Sequence, residues 1–106
     1  MGRPRLVISN RVVAYREQQL ENKYCHEVER RGGVAYKFVS PGLRGVPDRL
    51  ILLPIPEEHR EIVSKYVKFR EFKHPSRGRL AELQRRQIMV LTGMGFDARL
   101  QKNAVI

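Results

Sequence analysis

The chain has 106 residues, which is the length of one ordinary domain with a single hydrophobic core. Its 21 Lys and Arg residues outnumber 11 Asp and Glu residues, and the net charge of +10 favours a polyanionic partner, of which nucleic acid is the commonest. A hydrophobic share of 42% argues against intrinsic disorder, the single Cys25 excludes an internal disulfide and a cysteine metal cluster, and no apolar run approaches the roughly 20 residues that span a bilayer.

The first half of the sequence predicts an arm, a long helix and two strands. Residues 1–10 carry two arginines, a proline and a short apolar run, and predict an arm or an edge strand. From about Arg11 to Arg31 there is neither proline nor glycine, and the Gly32-Gly33 pair that follows is typical of a helix C-terminus. Val34–Val39 is β-branched and aromatic and predicts a strand, and the nearly all-apolar Asp48–Leu53 predicts a second, central strand.

The second half predicts a connection, a strand, a helix and a final strand. Two prolines end the second strand, and the charged segment Glu57–Ser64 predicts a solvated connection that could include a helical turn. Lys65–Lys73 predicts a third strand, Leu80–Met94 a second helix, and Phe96–Leu100 a last strand. The order helix, three strands, helix, strand predicts one α/β domain over residues 1–106.

An acid-x-lysine pattern stands at the end of the third predicted strand. Because side chains alternate along a strand, Glu71 and Lys73 share one face, and Asp48 meets them if the second and third strands pair. Two carboxylates suit a hard divalent cation such as Mg²⁺, which withdraws charge from a phosphoryl oxygen and acidifies a bound water. The lysine can orient or deprotonate that water, or neutralise the transition-state phosphate. These three side chains therefore predict phosphodiester hydrolysis.

A carboxylate from the first helix would complete such a site. Glu17 and Glu21 fall on one helical stripe with Tyr24 and Val28, so both flank the apolar face. Glu21 is the first candidate, and Glu17 the second, for completing the metal shell or orienting a water. Glutamates are also common on solvated helix faces, so a plain surface role stays open for each of them.

Four ordered blocks of sequence carry a resemblance to a known family. Pro47-Asp48 followed by Glu71-x-Lys73, in this order of elements, resembles the PD-(D/E)XK nuclease superfamily. More narrowly, four blocks resemble the VRR-NUC family: Arg31–Phe38, Gly45–Asp48, Glu71–Lys73 and Leu83-Gln84. The resemblance covers about residues 17–100.

The resemblance implies a fold, a chemistry and a set of residue roles. The fold would be a restriction-endonuclease-like αβββαβ core, with a four-stranded mixed sheet flanked by helices. The chemistry would be Mg²⁺- or Mn²⁺-dependent endonuclease cleavage of DNA that leaves a 5′ phosphate. The implied metal ligands are Asp48, Glu71 and the backbone carbonyl of Phe72. The implied catalytic residues are Asp48, Glu71, Lys73, Glu21 and Gln84.

The resemblance also implies a substrate shape, an oligomeric state and a location. Stand-alone members of the family are similar to Holliday junction resolvases, which select branched DNA. They are expected to be homodimers, because cutting both strands of a symmetric four-way junction needs two active sites. Together with the single cysteine, the resemblance fits the reducing cytoplasm of a bacterial or phage-infected cell, without a membrane partner.

Five basic residues are candidates for contacting the DNA backbone. Arg77, Arg79, Arg85 and Arg86 follow the acid-x-lysine pattern closely with a single acid among them, which predicts a phosphate-tracking patch. Lys37 on the first predicted strand is a further candidate. An ordinary charged helix start and a solvent-facing strand lysine are the plainer alternatives.

Two other functions compete with a branched-DNA nuclease. A non-catalytic nucleic-acid-binding module would use the positive surface alone, but it has no reason to gather Asp48 and Glu71 under a phosphate that they repel unless a cation intervenes. A nuclease of different specificity, such as a restriction enzyme or an exonuclease, is the other alternative. The short chain leaves little room for reading bases in the major groove, which argues against a sequence-specific enzyme.

Overall fold

The computed structural model describes residues 10–39 and 41–106. Three α-helices and four β-strands lie within these ranges, and none of the described helices is long and apolar enough to cross a bilayer. The chain forms two compact units, of which the first ends at Leu53 and the second comprises Pro54–Ile106. The predicted arm, residues 1–10, lies outside the described residues apart from Asn10.

The first unit contains one long helix and a two-stranded hairpin. Its elements are α1 (Asn10–Arg30), β1 (Val34–Lys37) and β2 (Arg49–Leu52). The strands pair antiparallel with Lys37 opposite Arg49, and the backbone N–H of Phe38 donates to the carbonyl oxygen of Asp48 at 2.9 Å. This ladder places Asp48 directly before the first residue of β2. The predicted helix and both predicted strands are confirmed to within a few residues.

Two glycines end α1, as the sequence predicts. The N–H of Gly32 donates to the carbonyl of Glu29 and the N–H of Gly33 to that of Val28, each at 2.9 Å, which is a Schellman motif. Gly32 has a φ of 81°, a left-handed conformation that strains residues with a Cβ atom. The motif ends the helix where the buried Val28 packs in the core of this unit, to which Leu52 of β2 also contributes.

The second unit contains two helices and a parallel pair of strands. Its elements are α2 (Glu57–Tyr66), β3 (Lys68–Phe72), α3 (Glu82–Gly93) and β4 (Asp97–Gln101). β3 and β4 pair in parallel, and α3 lies between them in sequence, as parallel strands require a long connection. The same Schellman arrangement ends α3, with Gly95 at a φ of 102°.

The core of the second unit lies between α3 and β4. Its buried apolar side chains are Ile55, Leu91, Met94 and Ala98. The rings of Phe69 on β3 and Phe96 before β4 meet edge to face, with centroids 5.6 Å apart and planes at 87°. This packing holds β3, and with it the acid-x-lysine pattern, against the rest of the unit.

The structure corrects the predicted connection before the third strand. Glu57–Ser64 is solvated as predicted, since no residue of α2 is buried, but it belongs to a ten-residue helix where the sequence predicted a connection with at most a helical turn. Glu57 and Glu58 lie in its first turn and Lys65 in its last, which matches the helix dipole. The apolar side chains of α2, Ile62, Val63 and Tyr66, fall at helical spacing but only in its second half, after five charged or histidine residues.

The predicted α/β class is confirmed, while the predicted order of elements is not. The observed order has a helix between the second and third strands, in place of the predicted αβββαβ. The described strands form two two-stranded sheets, β1 with β2 and β3 with β4. A single four-stranded mixed sheet therefore stays a prediction.

Candidate functional site

The acid-x-lysine pattern lies at the C-terminal end of β3. The carboxylate Oε2 of Glu71 and the Nζ of Lys73 are 3.8 Å apart, with Glu71 38% exposed and Lys73 25% exposed. The backbone N–H of Lys73 donates to the carbonyl of Gln101 at 3.2 Å, which carries the β3–β4 ladder one residue beyond the strand. The structure thus brings these two predicted catalytic side chains together, and both reach solvent.

Gln84 shares a groove with Glu71. The groove has a volume of about 460 Å³ and lies between β3 and α3, with Phe69, Ile88 and Leu91 among its apolar lining residues. The Oε1 of Gln84 accepts the backbone N–H of Ala81 at 2.9 Å, which satisfies an amide at the start of α3. Gln84 is therefore held at the helix N-terminus with its side chain next to the groove.

An ion-pair network outside the predicted site residues fixes β3 to β4. Arg70 donates to both carboxylate oxygens of Asp97, at 3.1 and 2.8 Å, and Lys68 donates to the same carboxylate at 3.3 Å. Arg70 first, and then Lys68, lower the pKa of Asp97 to about 2. The side chain of Arg70 is 11% exposed, so this ion pair is largely shielded from water. Arg70 directly precedes Glu71 on β3.

Asp48 lies near both candidate glutamates of the first helix. Glu17, Glu21 and Asp48 line one groove of about 570 Å³ in the first unit. Asp48 reaches this groove because it directly precedes β2, while the two glutamates project from α1. Three of the predicted carboxylates therefore line the same groove.

Arg49 is a partner of Glu21 that the sequence reasoning missed. Its Nε donates to Oε2 of Glu21 at 2.5 Å, and its second nitrogen, Nη1, donates to the carbonyl of Ala35 at 3.2 Å. The hydrogen bond from Arg49, aided by the charges of Arg49 and Lys37, lowers the pKa of Glu21. Glu21 is therefore held ionised and oriented beside Asp48.

The two halves of the predicted site belong to different units. Asp48 and the first-helix glutamates lie in the first unit, and Glu71, Lys73 and Gln84 lie in the second. The meeting of Asp48 with Glu71 stays a prediction. Within the described ranges no group of three or more His, Cys, Asp or Glu side chains could hold a metal ion. The predicted ligand set has only two such side chains and one backbone carbonyl, so this finding does not test it.

The predicted basic residues occupy three environments. Arg79 and Arg85 line a groove of about 320 Å³ together with Lys102, a third cation that the sequence analysis did not single out. Arg86 pairs with the exposed Glu82 at 3.2 Å. Arg77 is exposed in the loop before α3, and Lys37 is exposed at the end of β1. A cationic surface therefore lies next to the acid-x-lysine pattern within the second unit.

One comparison with known proteins gives a partial match. A stretch of 39 residues is 62% identical to "Putative nuclease p44" of Acyrthosiphon pisum secondary endosymbiont phage 1, and it makes up 37% of this chain and 42% of that protein. The chain thus spans less than half the length of this relative. No family model matches the chain, and no solved structure matches it at a significant level.

Proposed function

We propose that the chain is a metal-dependent endonuclease that hydrolyses phosphodiester bonds in branched DNA such as Holliday junctions. The observation that carries the proposal is the pair of Glu71 and Lys73, an acid and an ammonium 3.8 Å apart and open to solvent. The net charge of +10 favours DNA as the substrate, and the 39-residue likeness to a phage protein named a nuclease supports hydrolysis.

The proposed ligands are chemically suited to Mg²⁺ or Mn²⁺. Asp48, Glu71 and the backbone carbonyl of Phe72 offer only oxygen donors, which these hard cations prefer. When bound, such a cation would withdraw charge from a phosphoryl oxygen and make water a better nucleophile. Lys73 would hold its positive charge next to the reacting phosphate and stabilise the additional negative charge of the transition state.

The residues of the proposed site come from both units. Asp48 and the oriented Glu21 belong to the first unit, and Glu71, Lys73 and Gln84 belong to the second. We propose the four-stranded mixed sheet that the family resemblance implies. The groove that Glu21 shares with Asp48 and the groove that Glu71 shares with Gln84 support this proposal.

A homodimer and cytoplasmic action are further parts of the proposal. Two copies would supply the two active sites that a symmetric four-way junction requires. Both units expose large apolar side chains that could contribute to a subunit interface, among them Leu20 and Tyr24 on α1 and Leu83 on α3.

The proposed phosphate contacts give a testable salt dependence. Replacing Arg77 and Arg79 together by glutamine is expected to weaken DNA binding and to reduce the slope of log affinity against log salt by about 1 to 2. A double glutamine replacement of Arg30 and Arg31 makes the same charge change at residues already paired with Glu27, and we expect a smaller reduction there. Affinities for a labelled duplex at several salt concentrations measure both slopes. An unchanged slope in the Arg77 and Arg79 variant contradicts a phosphate contact.

The proposed function is tested by cleavage of a labelled four-way junction. Linear duplex and flap DNA of matched sequence serve as controls, each in Mg²⁺, Mn²⁺ and EDTA. We expect metal-dependent cleavage of the junction that exceeds cleavage of the duplex. Equal cleavage of all three DNAs would support a nuclease and contradict its selectivity for branched DNA. Tight binding to these DNAs without any cleavage would favour the non-catalytic binding module instead.

A further inference from the structure

The loop that follows Lys73 is closed by a histidine nitrogen. The backbone N–H groups of Ser76 and Arg77 both donate to Nδ1 of His74, each at 3.2 Å, and the hydroxyl of Ser76 lies 3.3 Å from the same atom. The backbone N–H of Gly78 donates to the carbonyl of His74 at 3.1 Å. A ring nitrogen that accepts backbone N–H groups carries no proton, so the proton of the neutral ring is on Nε2.

The closed loop returns to the side chain of Lys73. A Cβ atom added at Gly78 would lie 2.4 Å from the Cβ of Lys73 and 2.5 Å from the backbone nitrogen of His74. Only a residue without a side chain fits so close to the lysine. The loop therefore lies close to the Cβ atom of Lys73. This contact limits the χ1 rotamers that the Lys73 side chain can adopt.

We propose that His74 is a positioning residue for the proposed nuclease reaction. Its Nδ1 keeps residues 74–78 closed, the closed loop holds Gly78 next to Lys73, and the ammonium of Lys73 is thereby kept near the carboxylate of Glu71. The same closure sets the positions of Arg77 and Arg79, which flank Gly78 and would contact the DNA phosphates. The inference rests on the proposed function for its rate measurement, while its structural part can be measured without cleavage.

Two replacements of the histidine separate this role from a direct contact with substrate. Asparagine places its Oδ1 near the position of Nδ1 and can accept the same backbone N–H groups. Glutamine instead places a polar atom near the position of Nε2, where the histidine would contact DNA if it acted directly. Alanine at position 74 removes both capacities.

Steady-state cleavage by His74→Ala, His74→Gln and His74→Asn tests the proposal. We expect His74→Ala and His74→Gln to lower kcat about 10- to 100-fold with little change in KM, because a small displacement of a reacting group is enough for such a loss. His74→Asn should recover kcat to within about threefold of the wild type. Recovery by glutamine and not by asparagine, or wild-type kcat in the alanine variant, would overturn the positioning role.

A second pair of variants tests the contact with the lysine. Gly78→Ala is expected to lower kcat about 10-fold or more, because its Cβ must displace the Cβ of Lys73 or the adjoining backbone of His74. Gly93→Ala is the control, since a Cβ atom at Gly93 would have no atom within 4 Å. Equal rates for Gly78→Ala and Gly93→Ala would overturn the contact between loop and lysine.

NMR keeps a failure of this inference distinguishable from a failure of the proposed function. Long-range ¹H–¹⁵N correlation should show Nε2 of His74 protonated and Nδ1 unprotonated in the wild type, whether or not it cleaves DNA. The χ1 rotamer populations of Lys73, measured by three-bond couplings, should change in His74→Ala and His74→Gln and stay as in the wild type in His74→Asn. Protonation at Nδ1 in the neutral ring, or unchanged Lys73 rotamer populations in the alanine variant, would overturn the inference even in an active nuclease.

Discussion

Lys73→Ala is expected to lower the rate of DNA cleavage by about 10²- to 10³-fold. The ammonium of Lys73 lies 3.8 Å from the carboxylate of Glu71, so its charge sits beside the position proposed for the reacting phosphate. Its loss removes a cation that acts most strongly in the transition state. DNA binding should change by less than about threefold, because many of the 21 Lys and Arg residues remain to attract the backbone.

The control for this prediction is Lys65→Ala. Lys65 is an exposed lysine in the last turn of α2, so its replacement changes the net charge equally without touching the acid-x-lysine pattern. Single-turnover cleavage rates and binding affinities are compared for the two variants and the wild type. If both variants cleave DNA at the wild-type rate, Lys73 is not catalytic, and an intact nuclease would need another group in its place.

Local patterns in the sequence predicted the parts of the fold that depend on local chemistry. The end of α1 follows from Gly32 and Gly33, because the left-handed turn that closes a helix is a property of the glycine backbone. The common side of Glu71 and Lys73 follows from the two-residue period of a strand. Such features require no knowledge of which distant segments meet.

The helix α2 shows where this kind of reasoning fails. The segment Glu57–Ser64 is rich in charge and none of its residues is buried, so a solvated helix and a solvated loop have nearly the same composition. The deciding features are the absence of glycine and proline between Glu57 and Tyr66 and the acid-to-base order along the helix. Both were available in the sequence, as was the helical spacing of Ile62, Val63 and Tyr66, but the two prolines before Glu57 and the run of charge favoured a connection.

The electrostatic partners of the candidate site depend on contacts between distant residues. Glu21 meets Arg49 across 28 positions, and Arg70 meets Asp97 across 27. A single sequence shows charges of opposite sign but not which of them the packing of a helix on a hairpin, or of one strand on another, will bring together. For the same reason the predicted meeting of Asp48 with Glu71 rests on the family resemblance and on no local pattern.

Asp97→Asn is expected to lower the free energy of unfolding by about 2 kcal/mol at pH 7. The replacement keeps the shape of the side chain but removes the charge that compensates Arg70, whose guanidinium is 11% exposed. Asp97 binds its proton more weakly in the folded chain, where its pKa is about 2, than at its ordinary value of 3.8. Its ionised form therefore stabilises the fold above about pH 4, and this contribution is lost as the pH falls through about 2.

Urea unfolding of Asp97→Asn and the wild type between pH 7 and pH 2 measures this contribution. The difference between the two should be constant above about pH 4 and shrink towards zero near pH 2. Arg30 and Arg31 also lower the pKa of Glu27 to about 2. Because Glu27 is present in both proteins, its contribution to the pH dependence cancels from that difference. Glu82→Gln is the control, because it breaks only exposed ion pairs with Arg85 and Arg86 and should change stability little. A difference that stays constant down to pH 2 would show that Asp97 stabilises β3 against β4 through its hydrogen bonds, without a contribution from its charge.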